Sequence, residues 1–270
     1  QNITGWAVFA SADVPITSQL TLTAGIRYSE DDRKFRGCPV TNDDASGAFY
    51  TGIINGFRAA AGLDPYPTIT AGQCSSFYST QAVADLDTVG LPIYTLGEAN
   101  RRLKQHNVPW NINLNFKPSE TSLLYGRISR GYKVGNFSTL NTVDLVAYNP
   151  IPQEELTAYE IGARFSPSRA IRLEGALFLY DYNAKQLRAR INVGPPFGVI
   201  NAQDSIPKSR LKGAEASIVI KPVRELTLSA SGTYVDSKIK KYTGYTVDGT
   251  PNQNFAGASF NYTPKYSVNI

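Results

Sequence analysis

Residues 108–117, VPWNINLNFK, put every large apolar side chain on one parity: Val108, Trp110, Ile112, Leu114 and Phe116 face one way, and Asn111, Asn113, Asn115 and Lys117 the other. A helix with 3.6 residues per turn would mix the two sets, whereas a strand separates them. The stretch therefore reads as a strand with one wholly apolar and one wholly polar face. Leu20, Leu22, Ala24, Ile26 and Tyr28 repeat the pattern against Thr21, Thr23, Gly25, Arg27 and Ser29. Leu226, Leu228, Ala230, Gly232 and Tyr234 repeat it against Thr227, Ser229, Ser231 and Thr233, and Tyr266, Val268 and Ile270 begin another such segment.

Nine strands follow, at about 3–14, 19–36, 104–117, 121–136, 154–166, 169–190, 208–221, 225–240 and 264–270. Their connections alternate in length. Short ones, Pro15 to Ser18, Lys117 to Glu120, Ser166 to Arg169 and Lys221 to Glu225, each hold a proline, which presets a turn and cannot donate into a ladder. Long ones run from Gly37 to Leu103, Phe137 to Gln153, Ile191 to Lys208 and Lys241 to Thr263. This is an all-β, antiparallel, up-and-down meander with its short turns at one end and its long loops at the other. A soluble β-sandwich also alternates, but with shorter strands and without loops sorted by length. In an outer-membrane barrel the apolar face meets lipid and the polar face lines the lumen.

The chain has 270 residues, 29.5 kDa, a formal net charge of +5 and a pI near 9.1. With 42% hydrophobic and 18% charged residues it is neither disordered nor, given its aperiodic glycines, collagen-like. No run approaches the ~20 apolar residues of a spanning helix, which leaves strands as the way across a membrane. The 16 tyrosines and 12 phenylalanines fit girdles at the two membrane interfaces. Trp6, Tyr28, Phe116, Tyr132, Phe165, Tyr182 and Tyr234, near strand ends, are the expected members. Starting at Gln1 without methionine and ending inside a strand, the sequence reads as a fragment whose two open sheet edges would make it aggregate if expressed alone.

Several stretches resemble the C-terminal barrel of TonB-dependent outer-membrane receptors. Residues 115–137, NFKPSETSLLYGRISRGYKVGNF, are similar to that family's aromatic strand end, Lys-Pro-Ser turn, Leu-Tyr, and Ser-x-Gly-Tyr-Lys-x-Gly-x-Phe tail. Residues 154–164 (EELTAYEIGAR), 178–186 (FLYDYNAKQ), 200–215 (INAQDSIPKSRLKGAE) and 226–239 resemble the strands that follow, in the family's order. The resemblance covers about 105–240. It implies a barrel of about 22 strands with a plugged lumen, of which this chain is a partial barrel of about nine. It implies location in the bacterial outer membrane, short periplasmic turns, long extracellular loops, and a partner in the TonB complex, reached through a plug and TonB box that lie outside the stretch. Outer-membrane lipid and lipopolysaccharide are further expected partners.

Residues alone carry the rest. Gly126, Gly131 and Gly135 within one strand allow bends or the close approach of another backbone, such as a plug. Glu160, Arg164, Arg172 and Glu174 are expected on the lumen face, chiefly as ion pairs within the wall. Segment 37–103 is too long for a structureless loop. Phe49, Tyr50, Ile53, Ile54 and Phe57 are spaced for a short helix near 51–61 ending at Gly62, with a second helical turn near 79–87. Cys38 and Cys74 read as a bridged pair closing this cap, or as two buried thiols; no CxxC spacing supports zinc. The segment carries a net charge of −3, leaving +8 for the remainder.

Arg127, Lys133, Arg188 and Arg190 approach the long-loop end of their strands, where they could hold an anionic cargo together with Tyr132, Tyr180 and Tyr182. Catalytic chemistry finds no footing: His106 is the sole histidine and no GxSxG turn accompanies it. Gly126 to Gly131 has phosphate-loop spacing, but Tyr132 stands where a lysine is needed. The cations are spread over four hairpins, unlike a nucleic-acid patch. No cofactor or metal is expected. The expected function is active import of a scarce nutrient, by family resemblance a ferric siderophore first, with glycan, haem or cobalamin cargo, or a passive porin, as alternatives.

Overall fold

The computed structural model describes residues 1–77, 96–138, 144–193, 198–246 and 248–270. The alternating segments pair with their neighbours in chain order. They are β1 (Asn2–Pro15), β2 (Leu20–Gly37), β3 (Ala99–Asn107), β4 (Trp110–Ser119), β5 (Ser122–Lys133), β8 (Glu154–Ser168), β9 (Ile171–Asn192), β10 (Val199–Val223), β11 (Leu226–Lys241) and β14 (Tyr266–Asn269). All pairings in this sheet are antiparallel, in the order β1-β2-β4-β5-β8-β9-β10-β11-β14, with β3 also on β2. Two small ladders, β6 (Asn136–Phe137) with β7 (Pro150–Ile151) and β12 (Thr243–Gly244) with β13 (Gln253–Asn254), close two of the long connections. The α-helix among the described residues, α1 (Asp44–Ala60), lies between β2 and β3.

Register settles the faces. Leu20, Leu22, Ala24 and Ile26 lie opposite Phe116, Leu114, Ile112 and Trp110. Leu124 and Ile128 on β5 continue that row, then Ala163, Ile161 and Tyr159 on β8, and Gly175, Leu177 and Leu179 on β9. Directly opposed residues in an antiparallel pair share a face, so one continuous apolar belt crosses the sheet, and its large members are exposed: Ile26 55%, Ile161 61%, Leu177 56% and Leu228 51%. A patch of this extent marks a lipid- or partner-covered surface.

Proline shapes the short-turn end. Pro118, Pro167 and Pro222 each fall inside a register shift, between Phe116 and Ser119, Phe165 and Ser168, and Ile220 and Val223. A residue without an N–H interrupts the ladder there. Pro109 has a larger effect. The expected single strand over 104–117 is two, β3 and β4, both on β2 and broken at Val108–Pro109, where the Pro109 carbonyl accepts from the Arg27 amide at 2.9 Å.

Two other boundaries differ from expectation. β10 begins at Val199, not near 208, because β9 and β10 keep zipping to the pair Asn192 and Val199, beyond which the Val193 amide donates to the Gly198 carbonyl at 2.9 Å. Pro207 is accommodated opposite Ala184, which adopts a φ of 50°. The helix begins at Asp44, well before 51, because the Asp43 carboxylate caps it by accepting from the Ser46 amide at 2.6 Å. Its first turn is poor in large apolar residues and gives little periodic signal. Gly62 follows with a φ of 69°, the left-handed conformation that ends a helix. The helical turn expected near 79–87 lies outside the described residues.

The buried core is above the belt, at the long-loop end. Phe137, Leu145, Ala147, Tyr148 and Ile151, in the connection from β5 to β8, are nearly inaccessible. Leu145 and Tyr148 pack with Ala99 and Phe35 of the β2–β3 extension, while Ala147 packs with Val193, Ile200 and Ile191 of the β9–β10 extension. This connection is a strut between two walls.

Candidate functional site

The polar face of the sheet carries the side chains available for chemistry. On β5 and β8 the pairs Leu123 and Arg164, Tyr125 and Gly162, and Arg127 and Glu160 stand opposite one another on that face. Glu160 takes the Tyr125 hydroxyl on Oε1 at 2.8 Å and the Arg127 guanidinium on Oε2 at 2.6 Å. Glu174 on β9 receives both Arg164, at 2.8 Å, and Arg172, at 2.5 Å. The expected lumen-face quartet is thus in place and ion-paired within the wall: Glu174 takes Arg164 and Arg172 from the quartet itself, and Glu160 pairs with Arg127 outside it. A concavity of about 300 Å³ lies beside it, lined by Tyr125, Arg164, Glu174, Glu215, Ser217 and Thr233.

The seven expected cargo contacts separate. Arg127 and Tyr180 share the polar face and meet there, with Tyr180 stacked on Phe178 at 5.0 Å between ring centroids. Tyr182, on the same face, lies under the Lys185 ammonium at 4.2 Å and edge-on to Phe260 at 6.3 Å; it is not a girdle residue. Lys133, at the end of β5, stands opposite Glu154. Arg188 and Arg190 sit higher on β9, opposite Gln203 and Asn201, and among the described residues neither forms an ion pair. Tyr132 is on the other face, opposite Glu155 in the row of Ile128 and Arg130. From Tyr180 to Arg190 is roughly 33 Å of strand at ~3.3 Å per residue. The set is a column up the wall, with Tyr132 behind it.

Of the three glycines expected to admit a close neighbour, Gly135 alone does so. A Cβ there would stand 2.5 Å from Gln105 Nε2 and 2.9 Å from Leu103 Cδ2, whereas Gly131 has open space and Gly126 only ordinary contact with Ile161.

The loops are tied down by residues that the sequence pattern did not single out. Gln186 donates from Nε2 to the Val134 carbonyl at 3.0 Å and to the Pro152 carbonyl at 2.9 Å, and its amide donates to Glu154 at 2.8 Å. The Leu145 amide donates to the Phe77 carbonyl at 3.1 Å, joining the α1 segment to the strut. Cys38 and Cys74 are disulfide-bonded across 36 positions, with Cα atoms 5.5 Å apart. Glu98 lies close to the two sulfurs, but a disulfide offers no thiolate and Glu98 is held by Arg36 at 2.5 Å, so the trio is not a metal centre. Away from the sheet, amide donation by Ser46 holds the Asp43 carboxyl below its ordinary range, and burial beside Asp204 pushes the Tyr242 phenol up.

A family model described as TonB dependent receptor-like, beta-barrel, matches residues 1–270. No curated protein sequence matches the chain. Among solved structures, the ferric yersiniabactin uptake receptor FyuA of Yersinia pestis superposes with a TM-score of 0.60 at 13% identity, over 98% of this chain and 30% of that one. The siderophore receptor PiuA of Acinetobacter baumannii gives 0.59 at 15% identity, over 98% and 30%. The closed form of the ferric-catecholate import receptor Fiu of E. coli K12 gives 0.56 at 15% identity, over 98% and 31%. At these identities the likeness is one of fold, and the chain spans about 30% of the length of the first two receptors.

Proposed function

This chain belongs to the TonB-dependent receptor family, as part of its β-barrel in the bacterial outer membrane, and on that footing we propose that it forms part of the wall of an active importer. The observation that carries the reading is the division of one sheet into an exposed apolar face and a polar, ion-paired face, capped at one end only by interlocked loops. A wall with lipid on one side and a filled lumen on the other needs that division. In this reading the long-loop end faces the cell exterior, and the segment around α1 with the strut residues 136–138 and 144–151 forms part of the cargo-recognition surface. Arg188 and Arg190, which form no ion pair among the described residues, supply positive charge there, and Tyr180 and Tyr182 supply aromatic faces. The cargo is an anionic ferric chelate of the siderophore class. Energy comes from the TonB complex, acting through a plug inside the full barrel.

Support for that cargo rests on the fold-level neighbours, which are a ferric yersiniabactin uptake receptor, a siderophore receptor and a ferric-catecholate import receptor. The test is uptake of radiolabelled ferric chelates by cells carrying the complete receptor as their sole importer, with and without a working TonB. Accumulation that stops when TonB is removed is expected. TonB-independent uptake that follows solute size would mean a passive porin instead, and TonB-dependent uptake of a glycan, haem or cobalamin without ferric chelate transport would overturn the cargo alone.

A further inference from the structure

We propose that Gln186 is a positioning residue for cargo uptake: it fixes the strut against the wall, so that this part of the cargo surface is built before cargo arrives and does not close over it. The proposal rests on the import reading just given. Gln186 lies on β9 and is buried, at 7% exposure. A side-chain amide has two N–H groups, and here both go to one loop. Nε2 donates to the Val134 carbonyl at 3.0 Å, where the connection leaves β5, and to the Pro152 carbonyl at 2.9 Å, where it returns towards β8. One side chain therefore holds both feet of the strut.

The neighbours of Gln186 set its place. Ala184 adopts a φ of 50°, a conformation that costs energy for a residue with a side chain and persists where the surroundings impose it. Just beyond, the Gln186 amide donates to the Glu154 carboxylate at 2.8 Å. The Lys185 ammonium stands 3.9 Å from that carboxylate and over the rings of Tyr182 and Phe260, at 4.2 and 5.2 Å. Residues 184–186 thus reach β8, the strut and the connection that follows β11.

Other ties hold the strut in the same position. Gln105 on β3 accepts from the Gly135 amide at 2.8 Å, and Gln153 donates to the His106 carbonyl at 3.3 Å. Ser138 accepts from the Gln203 amide of β10 at 3.1 Å, and Arg101 donates to the Leu145 carbonyl at 3.3 Å. A Cβ at Gly135 would run into the Ile151 carbonyl, so the two feet lie in contact. Ser138, Asp144, Leu145 and Ala147 are at most 1% exposed. A segment that opens and closes has few buried contacts, whereas this one is buried along most of its described length. Lifting it would strip both carbonyls and both Gln186 N–H groups of their partners at once, and each buried group left so carries a desolvation cost.

The test places spin labels at Asn149 on the strut and Asn201 on β10, both exposed, in the full-length receptor in lipid. Their separation is measured with and without ferric tris-catecholate or ferric tris-hydroxamate, and amide exchange is followed at Phe137, Leu145 and Ile151. Wild type should give one narrow distance distribution that neither chelate shifts. Gln186→Met keeps the volume and removes both donors; it should broaden the distribution and speed exchange at the three amides roughly tenfold, the scale of one lost hydrogen bond. Gln186→Glu should do at least as much, because it sets a carboxylate against two carbonyls, whereas a side chain that only filled space would tolerate both changes. In uptake, the half-saturating chelate concentration should rise and the maximal rate stay, the pattern of lost pre-organisation. Gln105→Met, which frees the Gly135 amide alone, is the milder second variant and should speed exchange at Phe137 more than at Leu145. Unchanged exchange in β4 and β5 shows that each protein is folded. A wild-type distance that shifts by about 5 Å or more with a chelate would make the strut a closing lid. That result, wild-type exchange in both Gln186 variants, or a fallen maximal rate at unchanged half-saturation would each overturn the proposal. If neither chelate binds, the import reading fails on its cargo, while exchange and distance width in the cargo-free receptor still pass or fail the role of Gln186.

Discussion

The ring of Tyr125 lies across Gly162 on the neighbouring strand, so near that a Cβ at 162 would stand 2.5 Å from the ring carbon Cζ and from the hydroxyl. That contact lets the hydroxyl reach Glu160 two residues away. Gly162→Ala should push the ring off and destabilise the barrel by about 1–3 kcal/mol, the usual cost of overpacking. In a Tyr125→Ala background the same change should cost much less. Urea midpoints of the four proteins check this, and additive losses would show that the ring and the glycine are not coupled.

Glu160 has 8% of its side chain exposed, against 47% for Arg127. Removing the arginine leaves a buried carboxylate with the Tyr125 hydroxyl still donating to it, whereas Glu160→Gln removes the charge and keeps a hydrogen-bonding group. Arg127→Ala should therefore destabilise more than Glu160→Gln, by roughly 1–3 kcal/mol. Reversal of that order in the same urea series would contradict the assigned pair.

Faces distinguish the tyrosines and arginines at the long-loop end. Arg188→Gln with Arg190→Gln should weaken binding of an anionic ferric chelate by about tenfold or more, the scale of one lost charge-assisted hydrogen bond. Tyr132→Ala, on the lipid-side face, should leave the Kd within about twofold. Fluorescence titration of the full receptor separates the two outcomes, and a large loss at Tyr132 would contradict the face assignment.

The Cys38–Cys74 bridge closes a loop over 36 positions that holds α1. Cys38→Ser with Cys74→Ser should raise hydrogen exchange throughout α1 and leave β4, β5 and β8 protected, because those strands are held by their own ladders. Exchange accelerated equally in the strands would mean that the cap and the wall unfold together.

Asp43 caps α1 with its carboxylate, and its pKa is lowered by donation from the Ser46 amide. A lowered folded pKa contributes stability that is complete above the unfolded value of about 3.9 and is lost as pH falls through the folded one. α1 should therefore hold steady from pH 7 to 5 and fray below about pH 4. In Asp43→Asn the component of fraying due to residue 43 should disappear, as checked by exchange at the Ser46 amide across that range.

How much of this was legible in the sequence depends on which partner each residue needed. Alternation in 108–117 and 20–28 sets the two faces, because a strand's side-chain parity is fixed locally. The two prolines at 109 and 207 were visible, yet one broke a strand and the other was absorbed opposite Ala184. That difference depends on the register of the neighbouring strand. Tyr182 and Tyr132 both looked like residues of the rim, and only pairing put one inside and the other outside. The strut escaped notice for a related reason: Phe137, Leu145, Tyr148 and Ile151 follow no period, and their burial comes from walls contributed by β2, β3, β9 and β10. Gln186 likewise carries no local signature of its two carbonyl partners.

The measurement that tests the central claim most directly is spin-label accessibility in the full receptor reconstituted in lipid, with labels at Leu22, Leu114, Ile161 and Leu177 on one face and at Asn113, Ala158 and Ser217 on the other. The first set should collide with dissolved oxygen and be shielded from a water-soluble nickel chelate, and the second set should show the reverse or be shielded from both by the plug. Chelate access at Leu114 and Leu177 equal to that at Ser217 would mean that the apolar face does not lie against lipid, and the barrel account would be wrong.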